Sequence, residues 1–169
     1  MQQDQMEITR TKSDRLNFAC ALVIEGAGDL RSSVMALLRK CGWLVHGISR
    51  ADQAFNLLVS IPYDLIVLDS ELPGICGIDF VRILRNSKEW RTIRLVVVTS
   101  SRSPSFARRV EGGGAFLARK ATWEEDLFGF LSSCGEHSQI TRPTFNGCRI
   151  PSTKHGTFRS SLTSFYGTE

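Results

Sequence analysis

The chain has 169 residues, of which 42% are hydrophobic and 22% charged, and a formal net charge of +4. Such a balance suits one globular domain with a sizeable core. It carries no concentrated basic stripe, so direct nucleic-acid binding is not expected. No run of about 18 apolar residues and no secretory-type apolar opening is found, so no membrane segment and a cytoplasmic location are expected.

In chain order, residues 1–18 show no periodicity and read as a mobile lead-in. The apolar run Ala21-Leu22-Val23-Ile24 ends in Glu25 and suits a strand buried on both faces. Asp29 is the expected N-cap of a helix whose inner positions are Leu30, Val34, Leu37, Leu38 and Cys41, with Gly42 ending it. Residues 43–48 read as a strand, and Ser49 as the cap of a helix facing inward through Ala51, Ala54, Phe55 and Leu58. Residues 65–68 form the most strand-like run, bounded by Pro62 and by Pro73-Gly74. A helix over 78–84, a strand over 95–98 and a short helix over 105–111 follow. The Gly112-Gly113-Gly114 run weakens the end of that short helix. A last strand is expected at 115–117. Thr122 and Glu125 then form a capping box before Leu127, Phe128, Phe130 and Leu131.

From 134 to 169 the periodicity stops. This segment is rich in Ser, Thr and Gly and weakly basic, and is expected to be a disordered tail beyond a domain at 19–133. The five cysteines, Cys20, Cys41, Cys76, Cys134 and Cys148, are scattered and odd in number. They support neither a disulfide framework nor a zinc site.

Strands alternating with helices imply an α/β fold: a five-stranded parallel sheet with helices on both faces. In such folds the working crevice lies beyond the carboxyl ends of the strands. The five ends deliver Glu25, Ser49, Asp69, Thr99 with Ser100, and Arg119 with Lys120. Two carboxylates, a hydroxyl and a cation at one crevice suit phosphoryl transfer. A carboxylate can become an acyl phosphate, a second can help hold Mg²⁺, and hydroxyl and cation can stabilise the phosphoryl oxygens.

The run Tyr63-Asp64-Leu65-Ile66-Val67-Leu68-Asp69, followed by Leu72-Pro73-Gly74 and Gly77, resembles the third-strand signature of response-regulator receiver domains. The resemblance covers about 21–133 and includes the offset from Asp69 to Thr99. It implies a flavodoxin-like topology with strand order 2-1-3-4-5. It implies Asp69 as phosphoacceptor, Thr99 as switch hydroxyl and Phe116 as switch aromatic. Arg119 or Lys120 would be the phosphate-contacting cation. Glu25, Asp69 and the Glu71 carbonyl would be Mg²⁺ ligands, with the Glu71 side chain as an added source of charge. The implied partners are a histidine kinase or phosphotransfer protein, and downstream a second protein or another copy of the chain. The chain is then a stand-alone phosphoacceptor rather than an enzyme acting on other molecules.

Three positions depart from the pattern. Gly26 stands where the family has a second acid that ligates the metal. Counting three residues from Phe116, the family's lysine falls on Arg119, with Lys120 where proline is usual. The segment from Thr99 to Phe116 is about two residues short. These departures keep open a second reading, a degenerate receiver that binds proteins without phosphorylation. A remote third comes from Gly26-Ala27-Gly28, which faintly matches a dinucleotide-binding turn but lacks the third glycine.

Overall fold

The computed structural model describes residues 19–134. The lead-in and residues 135–169, Cys148 among them, lie outside the described residues; the expected tail start at Cys134 is the last residue of the final helix. Ten elements alternate: β1 (Cys20–Ile24), α1 (Gly28–Lys40), β2 (Leu44–Ile48), α2 (Ala51–Ser60), β3 (Leu65–Asp69), α3 (Gly77–Asn86), β4 (Arg94–Thr99), α4 (Pro104–Gly112), β5 (Phe116–Arg119) and α5 (Trp123–Cys134). The strands form one sheet in the order β2-β1-β3-β4-β5, and every pairing is parallel.

Parallel strands need helical crossovers, and these cover both faces. All five residues of β1 and of β3 are therefore buried, which explains why they read as continuous apolar runs. Alternation then sorts their side chains. Leu22, Ile24, Ile66, Leu68, Leu95 and Val97 pack beneath α2, α3 and α4. Ala21, Val23, Leu65, Val67, Val96 and Val98 pack beneath α1 and α5. The strand β2 lies at the sheet edge, and only Val45 of its five residues is buried.

Helix ends show where local sequence decides. The helix α1 closes with Gly42 at φ 83°. The Gly42 and Trp43 amides donate back to Arg39 and Leu38, satisfying carbonyls that have no partner within the helix. Its start differs from expectation. The N-cap position is Ala27, and Asp29 lies in the first turn, where its charge favours the helix dipole without capping it. The helix α2 likewise starts after Arg50 rather than Ser49. The helix α4 is two residues longer than expected. Ser103 caps it by accepting from the Phe106 amide, Pro104 occupies its first turn, and it runs into the glycine run, which turns at Gly114 with φ 72°.

The Thr122 hydroxyl ahead of α5 donates to Asp126, not into a capping box with Glu125. The same Asp126 carboxylate accepts the Arg119 amide, so it ties the end of β5 to the first turn of α5. That tie fixes how the chain leaves the sheet on its way past the crevice. Among the described residues no helix is long and apolar enough to cross a membrane.

Candidate functional site

Three side chains expected at the crevice meet at the carboxyl ends of β1, β3 and β5. Continuing the alternation, Glu25, Asp69 and Lys120 project on the α1–α5 side of the sheet. Glu25 is 4% exposed and Asp69 5%. The Asp69 carboxylate is bonded at both oxygens. Oδ1 accepts the Glu71 amide at 3.1 Å, and Oδ2 accepts the Lys120 Nζ at 2.8 Å. Glu25 Oε1 accepts the Ala27 amide at 2.9 Å.

The electrostatics follow from this crowding. Burial pushes the Glu25 carboxyl above its usual range. The Ala27 amide and the Lys120 charge pull it back, while the neighbouring Asp69 charge pushes it further up. Burial pulls the Lys120 ammonium down. Its hydrogen bond to Asp69 and the charges of Asp69, Glu25 and Glu71 together carry it above its ordinary value. Lys120 therefore stays cationic and sits on the carboxylate expected to accept phosphate.

The two candidate cations separate clearly. Arg119 ends β5 with an exposed side chain, whose guanidinium reaches the Ser101 carbonyl at 3.4 Å. Lys120 lies one step beyond the strand, where its amide donates to the Thr99 carbonyl, and its side chain turns onto Asp69. One-residue alternation makes the choice: only one of two adjacent residues can face the acids.

The same register relocates the expected switch aromatic. The strand β5 pairs with β4 as Val96↔Phe116 and Thr99↔Arg119. Phe116 thus falls on the α5 face, where its ring lies 5.0 Å from that of Phe130. Leu117 packs against the α2–α4 layer, the face that Thr99 shares. Measured back from Lys120, the cation that meets Asp69, the three-residue spacing that the resemblance implies falls on Leu117, a leucine, and not on Phe116.

Thr99 is 1% exposed. Its hydroxyl oxygen accepts from the Ser70 hydroxyl at 2.8 Å and from the Ser101 amide at 3.0 Å. Ser70 escaped the sequence reading. The signal for it was available: a polar residue directly after a strand-end acid, with the same parity as the apolar residues that face α3.

The loop between β3 and α3 depends on two glycines. Gly74 adopts φ 91°, which L side chains rarely tolerate. At Gly77 an added Cβ would lie 2.9 Å from the Ser70 Cα and 3.1 Å from the Asp69 carbonyl. Only glycine lets α3 start this close to the strand end.

Glu25 and Asp69, with the Glu71 carbonyl that the resemblance adds, are oxygen donors of the kind a hard divalent cation takes. Among the described residues no group of three His, Cys, Asp or Glu side chains could hold a metal, so water would complete the shell. Gly26 is exposed, and nothing lies within 4 Å of a Cβ placed there. The position at which the resemblance implies a second acid is open space. Beside it, the Arg31 guanidinium folds over the turn and donates to the Glu25 carbonyl at 2.6 Å.

Comparison with known proteins agrees with this architecture. Residues 21–120 match the family model described as the response regulator receiver domain. The sensory/regulatory protein RpfC of Xanthomonas campestris pv. campestris is 30% identical over 93 residues, 53% of this chain and 13% of its own length. The CAI-1 autoinducer sensor kinase/phosphatase CqsS of Vibrio cholerae is 27% identical over 94 residues, 55% of this chain and 14% of its own. The chain thus spans under a sixth of either relative. Among solved structures, the chemotaxis response regulator CheY4 of Vibrio cholerae superposes with a TM-score of 0.63 at 21% identity. That match covers 69% of this chain and 98% of the other, and it speaks to the fold.

Proposed function

Since the chain belongs to the response regulator receiver domain family, we propose that Asp69 accepts a phosphoryl group from a histidine kinase or phosphotransfer protein. The observation that carries this reading is the Lys120 ammonium 2.8 Å from Asp69 Oδ2, in a crevice shared with Glu25. A carboxylate oxygen of Asp69 forms a bond to phosphorus as the bond from phosphorus to the donor breaks. The donor leaves as acetate from acetyl phosphate, or as imidazole, which takes up a proton, from phosphohistidine. Lys120 and the Glu71 amide are already oriented toward the charge that gathers there, so little reorganisation is needed. Glu25, Asp69 and the Glu71 carbonyl would hold a Mg²⁺ ion, which supplies positive charge over the phosphoryl oxygens. The chain takes up the group and at most hydrolyses it again, without acting on other molecules.

Signalling then passes through protein contacts or self-association at the face built from α4, β5 and α5, next to Thr99 and Leu117. One observation favours the second reading, a protein-binding module without phosphorylation. Gly26 leaves the site one carboxylate short of the family's usual set. Incubation with acetyl phosphate and Mg²⁺ followed by intact mass measurement separates the two. The expected result is one phosphate adduct on the wild type and none on Asp69→Asn. An adduct that persists in Asp69→Asn removes the assignment, and no adduct on the wild type leaves the binding module.

A further inference from the structure

Of the buried polar residues among those described, Glu25, Asp69, Ser70 and Thr99, the phosphoacceptor reading gives no role to Ser70. We propose that Ser70 is a positioning residue. It tethers the Thr99 hydroxyl on the α3–α4 side of the sheet and sets how readily Thr99 can leave for a phosphoryl group on Asp69. The proposal rests on the reading of Asp69 as phosphoacceptor.

The two hydroxyls meet because of register. The ladder pairs Asp69 with Val98, so the next residues, Ser70 and Thr99, are neighbours with the same parity. Ser70 is 7% exposed and Thr99 1%, so neither hydroxyl can readily exchange its partner for water. A threonine hydroxyl has two lone pairs and one proton. Both lone pairs are engaged, by the Ser70 hydroxyl at 2.8 Å and the Ser101 amide at 3.0 Å. Movement of Thr99 gives up both bonds and leaves the buried Ser70 hydroxyl and the half-buried Ser101 amide without their acceptor, which opposes the motion. A phosphoryl oxygen can offset that loss, because a charged acceptor binds the Thr99 proton more strongly than a neutral one.

Ser70 is itself held rigidly. Its amide donates to the Val98 carbonyl at 2.9 Å, and its carbonyl accepts the Gly77 amide at 3.3 Å at the start of α3. The close approach of Gly77 closes the remaining side. The tether therefore hangs from a fixed point one peptide away from Asp69. Any shift of the Asp69 backbone on phosphorylation reaches the Thr99 hydroxyl directly.

The experiment compares wild type, Ser70→Ala, Thr99→Val and the double variant. Hydrogen exchange of the Ser101 amide is followed in the unphosphorylated proteins, and β1 amides serve as a control for intact folding. In Ser70→Ala the Ser101 amide is expected to exchange about threefold faster or more, because its acceptor is freed to move. The β1 amides stay protected. In the Thr99→Val background the Ser70 change adds nothing. With acetyl phosphate, Ser70→Ala is expected to take up phosphate about threefold faster than wild type, a difference also absent from the Thr99→Val background. Unchanged Ser101 exchange, unchanged uptake, or an equal effect of Ser70→Ala with and without Thr99 overturns the tether. A wild type that takes up no phosphate removes the phosphoacceptor reading instead. The exchange comparison then still decides whether Ser70 holds Thr99.

Discussion

At the end of β1 the crevice is sparsely furnished, with one buried acid, Glu25, followed by a glycine that leaves open space. At the ends of β3, β4 and β5 the polar side chains are engaged. Asp69 is bonded at both oxygens, Thr99 accepts two bonds, and Lys120 stands on Asp69. The contrast shows how the two halves handle charge. On the β3–β5 side the protein supplies the compensating cation itself. On the β1 side the Ala27 amide and the more distant Lys120 charge offset only part of the cost, and burial leaves the Glu25 carboxyl raised.

The largest expected effect breaks the furnished side. Lys120→Met should lower the rate of phosphate uptake from acetyl phosphate by about a hundredfold, the scale for losing one donor aimed at developing charge. Arg119→Met should leave that rate within about twofold, since its guanidinium is exposed and among the described residues reaches the Ser101 carbonyl rather than Asp69. Equal losses in the two variants would erase the distinction between these cations.

Next comes the backbone that carries Asp69. Gly77→Ala forces a Cβ to 2.9 Å from the Ser70 Cα, a contact with backbone that cannot be relieved by a rotamer change. Urea unfolding should show a loss of about 1–3 kcal/mol, typical of overpacking. Gly26→Ala, on the open side, should change stability by under about 0.5 kcal/mol. A cost at Gly26 as large as at Gly77 would mean that the two sides are equally packed.

Filling the open side sharpens the comparison from the other direction. Gly26→Asp restores a carboxylate in free space and should tighten Mg²⁺ binding by roughly tenfold, about 1.4 kcal/mol, as judged by a fluorescence titration. No gain would show that the β1 turn does not face the cation position.

The smallest effect is the pH signature of Glu25. Its carboxyl is raised in the folded state by burial, so between the ordinary value and the raised one the folded protein holds a proton that the unfolded chain has lost. The stability this proton contributes is fully present below the ordinary value of 4.5 and disappears as pH rises through the raised folded value. Glu25→Gln keeps an oxygen for the Ala27 amide and removes the charge. Thermal midpoints should therefore be higher in Glu25→Gln than in wild type at neutral pH and converge below pH 4.5. A gap that does not depend on pH would show that the carboxyl is not raised.

Much of this protein was legible along the chain because its information is local. Continuous apolar runs mark strands covered on both sides, helical spacing marks the crossovers, and each strand end names its polar residue. That logic by itself places Glu25, Asp69 and Thr99 at one rim. Which of two adjacent cations meets Asp69 was not local. The answer depends on β5 beginning at Phe116 and pairing Arg119 with Thr99, a register set by hydrogen bonds to β4 and by Asp126 of α5. A shift of one residue would exchange Lys120 for Arg119 and turn Phe116 toward Thr99. The partnership of Ser70 with Thr99 is of the same kind, because 29 positions separate two hydroxyls that only the β3–β4 ladder brings together. Apolar pattern is written in neighbouring residues. Facing direction at a strand end is decided by cross-strand register, which exists only once the sheet has formed.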